Sequence, residues 1–195
     1  METKELNKEN IKILAKLGVD SKDIANIYLQ ITEEGKDISK NTYIDNLTNM
    51  IKFFQSRNND IKDENKEAIF KEDVIDMVKK NNNILKPGIK ENIEPICKKI
   101  DSYYFMNPGY TNIFIKRNPT IFNLGSTNLD NFAKLFSNYA IKVDNNIVNL
   151  FEYAIKQDAK LLETDFNNIS NKISQLEESK NSKLFTPDEI NSLIS

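Results

Sequence analysis

The chain has 195 residues, of which 39% are apolar, enough for a sizeable buried core. It contains no histidine and one cysteine, which excludes histidine-based catalytic triads, histidine metal sites and a zinc cluster of thiolates within the chain. A net charge of −2 provides no general attraction to nucleic acid or to anionic lipid.

Helical spacing of apolar residues begins near the start of the chain. The opening METKELNKEN is charged, which is typical neither of a signal peptide nor of a transit peptide. Asn7 and Gly18 bracket a first predicted helix, and Asp20 begins a second. A third helix is predicted by an apolar stripe at helical spacing, which consists of Ile44, Leu47, Ile51 and Phe54.

A polar segment follows the third helix. SRNNDIKDENK, from Ser56 to Lys66, contains a single aliphatic residue and predicts a solvated linker or long loop. We therefore predict an N-terminal helical hairpin region over 1–56, with a degenerate repeat. A linker over 57–66 and a helical repeat region over 67–195, which ends in a capping helix, complete the predicted organisation.

The central and C-terminal segments also show helical periodicity. Three further stripes are Ile89, Ile93, Ile96, Cys97 and Ile100; Leu129, Phe132, Ala133, Phe136 and Ala140; and Phe166, Ile169, Ile173 and Leu176. Ser126 is a predicted cap for the helix after Gly125. Thr186, Pro187 and Glu189 form a capping box with proline at the first helical position. No segment alternates convincingly with a period of two, so we predict no sheet.

Three segments of the chain share one pattern. KKNNNILKPG from Lys79 and KRNPTIFNLG from Lys116 place a basic pair, an asparagine, an apolar pair and a glycine in the same order. A third copy aligns on Asp158, with Asp165 in place of the glycine. The apolar pairs are Ile84 and Leu85, Ile121 and Phe122, and Leu161 and Leu162. A helical hairpin of this length cannot bury its apolar face alone, so the pattern predicts an all-α fold of hairpin repeats stacked as a short curved solenoid.

This repeat unit resembles that of the mitochondrial transcription termination factor (mTERF) family. RNPTIF at Arg117 matches the family's Asn-Pro-x-Ile/Leu core, LGVDSKDI at Leu17 is similar to the way such units begin, and IEPI at Ile93 resembles the second helix. The likeness extends over residues 17 to 180. It implies an all-α solenoid and nucleic-acid binding as the activity.

The basic residues concentrate in the two clearest copies. Residues 71–142 carry 11 basic and 7 acidic side chains. Lys79 and Lys80 occupy the same repeat positions as Lys116 and Arg117, so a regular solenoid would align them along one edge, as a phosphate backbone requires. The alternative is that these side chains favour their helix dipoles and remain in water.

A group of aromatic residues surrounds a predicted turn between the two copies. Asn107, Pro108 and Gly109 are turn-forming residues, because proline fixes φ and glycine accepts a positive φ. The aromatic residues beside them are Tyr103, Tyr104, Phe105 and Tyr110. They either form a protein-binding surface or pack between adjacent repeats.

Little else in the sequence indicates chemistry. Cys97 lies on an apolar stripe, which predicts a packing role. The 28 asparagines are attributed to base composition and given little weight. We therefore expect a non-enzymatic, cytoplasmic helical-repeat protein without metal, cofactor or membrane association. Its expected role is a scaffold that binds a protein partner, and the alternative is mTERF-like nucleic-acid binding; the sequence leaves the oligomeric state open.

Overall fold

The computed structural model describes residues 12, 14–16, 18–23, 25–26, 40–61, 67–103 and 107–194. This part of the chain is mainly helical, as predicted, but it also contains a three-stranded sheet, so the prediction that strands are absent is wrong. The chain divides into two compact units, residues 1–123 and residues 124–195. This boundary does not coincide with the linker predicted over 57–66.

The first unit contains four α-helices with complete bounds. They are α1 (Lys40–Arg57), α2 (Lys71–Lys80), α3 (Glu94–Tyr103) and α4 (Pro108–Arg117). A π-helical turn, Ile89–Ile93, leads into α3, and short 3-10 helices cover Asn58–Asp60, Asn82–Leu85 and Pro119–Asn123. The first helix predicted from Asn7 lies largely outside the described residues.

The predicted apolar stripes form the core of this unit. Ile44, Leu47, Ile51 and Phe54 on α1 are all at most 1% exposed, and Ile93, Ile96, Cys97 and Ile100 are completely buried. Helices α2 and α3 are only ten residues long, so each gains most of its stability from packing this face rather than from intrinsic helix formation.

The first two copies of the repeat have the same local structure. The backbone N–H of Asn81 ends α2 by donating to the Met77 carbonyl at 2.9 Å, and that of Asn118 ends α4 through the Phe114 carbonyl at 3.0 Å. Each asparagine then enters a 3-10 helix, which we call turn A (Asn82–Leu85) and turn B (Pro119–Asn123). The apolar pairs inside both turns are at most 3% exposed.

Buried asparagine side chains hold these two turns in place. Asn46 on α1 donates its Nδ2 to the Leu85 carbonyl of turn A at 2.7 Å. Asn81 and Asn92 donate to turn B, to the carbonyls of Pro119 at 2.9 Å and Phe122 at 2.8 Å. Buried carbonyls that lack a donor cost free energy, so these amides satisfy groups that short 3-10 segments leave open. Attributing the asparagines to base composition missed this role.

A buried ion pair connects three helices of the first unit. Arg57, the last residue of α1, donates Nη1 to Oδ2 of Asp101 at 2.9 Å and Nη2 to Oδ1 of the same carboxylate. Its Nε donates to Oδ1 of Asn112 on α4 at 2.9 Å. The two charged side chains are each 11% exposed. Helix α1 therefore extends into the predicted linker and is anchored there.

The second unit combines helices with a small sheet. Its helices are α5 (Ser126–Phe136), α6 (Leu150–Lys156), α7 (Lys160–Glu163), α8 (Phe166–Lys180) and α9 (Pro187–Ile194). Its strands are β1 (Ala140–Val143), β2 (Asn146–Asn149) and β3 (Leu184–Phe185), in the order β2-β1-β3. Strand β2 pairs antiparallel with β1, and β3 pairs parallel with β1.

The helix caps of this unit confirm some predictions and correct others. Thr186 and Glu189 form the predicted capping box, with the Thr186 N–H donating to Glu189 Oε2 at 2.8 Å. Gly125, at φ 75°, occupies the cap position of α5 that was predicted for Ser126. Asp165, which replaces glycine in the third copy, caps α8 by accepting from the Asn168 N–H at 2.8 Å.

The third copy keeps the pattern of helix, short turn and helix. Helix α7 supplies its turn, and Leu161 and Leu162 within it are at most 1% exposed. The apolar stripe of α5 is also buried, except that Ala140 lies in β1 and not on the helix. The local repeat is therefore present in all three segments.

Truncating the core of either unit should destabilise it. We expect Ile96→Ala and Phe132→Ala each to lower the free energy of unfolding by about 2–5 kcal/mol, because both side chains are completely buried. Urea denaturation followed by circular dichroism measures this. Phe70→Ala is the control, since Phe70 is 50% exposed, and we expect it to cost less than about 1 kcal/mol. Wild-type stability in either core variant would contradict the assigned helix face.

The ion pair at Arg57 gives a second stability prediction. Asp101→Ala leaves a buried guanidinium without its carboxylate and should cost about 3–5 kcal/mol. The double variant Arg57→Met/Asp101→Leu removes both charges and should be more stable than Asp101→Ala alone. Chemical denaturation of the single and double variants measures the coupling. A double variant no more stable than Asp101→Ala would show that the unpaired charge is not what destabilises the single variant.

Candidate functional site

The four basic residues predicted to form one edge have different environments. Lys79 Nζ lies 3.1 Å from Asp23 Oδ1, and Lys116 Nζ donates to the Ala68 carbonyl at 2.8 Å. Lys80 and Arg117 are exposed. Lys79 is also exposed, with 40% of its side chain accessible, and Lys116 is half-buried. Two of the four cations, Lys79 and Lys116, therefore contact groups of their own unit.

The structure does bring the two basic pairs to neighbouring helix ends. Lys80 immediately precedes Asn81, whose side chain donates to the Pro119 carbonyl, and Arg117 lies two residues before Pro119. The C-terminal ends of α2 and α4 are thus joined through turn B. The alignment of the four basic side chains along one edge stays a prediction.

The aromatic residues are only partly described. Tyr103 ends α3 and is half-buried, while Tyr110 lies in the first turn of α4 and is 53% exposed. Tyr104 and Phe105 lie outside the described residues. The predicted turn is instead the beginning of α4, where Asn107 Oδ1 accepts from the Gly109 N–H at 3.0 Å and Pro108 is the first helical residue. The role of the aromatic group in protein binding stays a prediction.

A concave surface lies on the sheet of the second unit. This sheet groove has a volume of about 580 Å³. Three segments line it: the end of α5 and the start of β1, the second half of β2, and the approach to β3. Its residues are Ser137, Asn138, Tyr139, Ala140, Ile147, Val148, Asn149, Ser182, Lys183 and Leu184.

Strand register determines which side chains form the floor of the groove. Ile141 and Phe185 are opposite each other and completely buried, which defines the inner face of the sheet. Their neighbours Ala140 and Leu184 are also paired and lie on the outer face, because successive side chains alternate between faces. Ile147, the cross-strand partner of Lys142, shares that outer face and is 64% exposed.

The charged residues on this surface are lysines. The groove lining contains Lys183 and no carboxylate, and Lys142 lies beside Ile147 on the same face. Lys183 Nζ is 3.7 Å from Glu177 Oε1, a long contact, and the side chain is 60% exposed. Lysines therefore supply the charge among the lining residues and beside Ile147, and one of them, Lys183, is ion-paired with Glu177.

Tyr139 is fixed at the wall of the groove. Its hydroxyl donates to Glu177 Oε2 at 2.8 Å, and its ring stacks on Phe185 with centroids 5.5 Å apart. Burial and the hydrogen bond to Glu177 raise the pKa of Tyr139 to about 12, so it remains a neutral hydrogen-bond donor at physiological pH.

Reactive and metal-binding groups are not gathered elsewhere in the described residues. Cys97 is buried, as predicted, and burial raises the pKa of its thiol to about 12. No group of three or more His, Cys, Asp or Glu residues in the described ranges is positioned to hold a metal ion. In the same ranges, no helix is both long and apolar enough to cross a membrane.

Comparison with known proteins gives no relative for this chain. No protein-family model, no curated protein and no solved structure matches it. The resemblance to mTERF repeats therefore stays a prediction based on the motif alone.

Sequence reasoning missed the sheet groove entirely. A signal was present in AIKVDNNIVN, where Asp144 and Asn145 separate two short runs with alternating apolar residues, a hairpin pattern. Asp144 adopts φ 54°, a left-handed conformation that aspartate tolerates better than most residues. The runs are only four residues long, which made the period of two hard to recognise.

Proposed function

We propose that this chain is a non-enzymatic protein-binding module whose sheet groove receives a segment of a partner protein. The observation that carries the proposal is Ile147, a large aliphatic side chain that is 64% exposed at the edge of a concave surface. Phe70 and Tyr110 are the other large apolar residues exposed in the described ranges, and neither lines the groove.

The chemistry of the groove specifies the partner. Its lining is apolar at Ala140, Leu184 and Ile147 and polar at Ser137, Asn138 and Ser182. An apolar centre with a polar rim is the usual anatomy of a protein interface. Since Lys142 and Lys183 are the charged residues of this face, the fitting segment carries an apolar side chain flanked by carboxylates.

The helical repeats complete this proposal as a scaffold. Three segments share the order of helix, short turn and helix, and two of them are joined through turn B. This order supports a stacked arrangement of hairpins as a short curved solenoid. Such arrays present extended surfaces to other macromolecules.

Removing the Ile147 side chain should release the partner. We expect Ile147→Ser to lose a defined set of proteins that tagged wild-type protein captures from lysate of its source cells. Quantitative mass spectrometry measures the loss. Phe70→Ser is the matched control, a large apolar residue of the other unit that is 50% exposed, and should retain the set. Identical capture by wild type and Ile147→Ser, with both folded, would refute the groove as a binding site.

A second candidate function is nucleic-acid binding, as the mTERF resemblance implies. The observation that favours it is the exposure of Lys80 and Arg117 at equivalent helix ends joined through turn B. Phosphate contacts from these two side chains would be few, so binding would be weak and would fall with added salt.

Charge reversal of the exposed pair tests this candidate. We expect Lys80→Glu/Arg117→Glu to abolish any binding of a short labelled DNA duplex or single-stranded RNA at low ionic strength, measured by fluorescence anisotropy. Lys79 and Lys116 are left unchanged because their contacts with Asp23 and Ala68 support the fold. Lys52→Glu/Lys90→Glu, two exposed lysines of the same unit, is the control for net charge. Failure of the wild type to bind either probe would eliminate the candidate.

A further inference from the structure

We infer that the partner segment binds as an added β-strand along the free edge of β2, with alternate side chains over the sheet groove. This inference rests on the proposed function and specifies how the segment is held. In such recognition, main-chain hydrogen bonds supply affinity, and the surface beside the edge selects the side chains.

Strand β2 has an unpaired edge. It is the outer strand in the order β2-β1-β3, so within the described residues it pairs with β1 and with no second strand. Edge strands usually carry a charge, a proline or a bulge that discourages a further strand. The residues of β2, Asn-Ile-Val-Asn, include no charge and no proline, and their pairing with β1 is continuous.

The register shows which backbone groups face outward from β2. The Leu150 N–H donates to the Tyr139 carbonyl at 3.0 Å, which makes these two residues a hydrogen-bonded position of the ladder. Hydrogen-bonded and non-hydrogen-bonded pairs alternate along antiparallel strands. Val148 therefore bonds to Ile141, whereas Ile147 lies in a non-hydrogen-bonded pair and directs its N–H and C=O away from β1.

Contacts on the other side of β1 agree with this alternation. Ala140 and Asn149 form the second non-hydrogen-bonded pair, and the Ala140 N–H donates across to the Lys183 carbonyl before β3 at 2.9 Å. The Asn149 N–H accordingly points to the outer edge of β2. Asn149 is also the N-cap of α6, so its carbonyl accepts the first hydrogen bond of that helix. Its N–H is the backbone group that remains for a partner strand.

The free edge and the sheet groove form one continuous site. Ile147 supplies both an outward-directed backbone and an exposed side chain on the outer face. A strand added beside β2 places alternate side chains on that same face, next to Ile147 and along the groove. Strand β3 offers a poorer edge, since it has two residues and is followed closely by Pro187.

A strand-forming acidic peptide tests this inference directly. The probe is a fluorescein-labelled peptide of alternating valine and glutamate, titrated by anisotropy at low ionic strength. Its counterpart is the depsipeptide in which esters replace the internal amides, which keeps the side chains and removes the backbone donors. We expect the amide peptide to bind at least about fivefold more tightly, as lost main-chain hydrogen bonds would produce.

Two substitutions at one position provide the matched protein variants. Ile147→Ala and Ile147→Pro both remove the aliphatic side chain, but only the proline removes the outward N–H, and proline is tolerated on edge strands. We expect Ile147→Pro to bind the amide peptide about fivefold to tenfold more weakly than Ile147→Ala. Circular dichroism and thermal melting establish that both variants are folded.

Amide exchange by NMR gives an independent measurement on the wild type. The N–H groups of Ile147 and Asn149 should exchange rapidly in the free protein and become protected by the amide peptide. That of Val148, bonded within the hairpin, should be protected in both states. This readout does not depend on any variant.

The outcomes separate the inference from the proposed function. Equal binding of peptide and depsipeptide, with dependence on Ile147, would overturn strand addition and leave a groove that binds side chains. Failure of the wild type to bind the peptide would overturn strand addition for an acidic segment, whereas the capture experiment tests the groove separately. Equal binding of a valine–lysine peptide would retract the acidic character of the partner and support the added strand.

Discussion

The first unit depends on providing hydrogen-bond donors to the carbonyls of two buried 3-10 turns. The buried apolar pairs hold turns A and B in the core, so the backbone carbonyl oxygens of these turns are buried as well. Water cannot serve these oxygens there, so side-chain amides on α1 and in the repeat itself do so. An amide is suited to this role, because it is a neutral donor and burying it costs less than burying a charge. The asparagines thus link each turn to its neighbour.

The same unit also contains a buried charge that is fully paired. The Arg57 guanidinium uses its planar fork on Asp101 and its remaining Nε on Asn112, which fixes the relative positions of α1, α3 and α4. Such a cluster contributes little net stability compared with an apolar core of the same shape, but removing one member is costly. The amide Nδ2 of Asn112 and the hydroxyl of Thr111 have no hydrogen-bond partner among the described residues, so the polar interior here is imperfectly satisfied. We interpret this cluster as a device that selects one packing arrangement of short helices.

In the second unit the decisive feature is a sheet that is covered on one face. Ile141 and Phe185 bury the inner face, while Ile147 remains on the outer one beside Lys142. The four basic residues predicted as a site in the first unit, Lys79, Lys80, Lys116 and Arg117, have different surroundings. Two of those four residues, Lys79 and Lys116, contact groups of their own unit.

Sequence periodicity by itself determined the helices and much of the core, because a helix buries residues at a fixed spacing that survives in any tertiary context. It also identified the repeat, the capping box at Thr186 and the buried position of Cys97. The pattern predicted all four basic residues as one set and did not distinguish Lys79 and Lys116, which contact Asp23 and the Ala68 carbonyl, since spacing does not show what a lysine contacts. Only the tertiary structure decided that Asn46, Asn81 and Asn92 are structural, because their acceptors lie 30 to 39 residues away in the chain.

The sheet groove also depends on contacts between residues that are distant in the chain. Strand β3 has two residues and no pattern of its own, and it becomes a strand only because β1, more than forty residues earlier, supplies its hydrogen-bond partners.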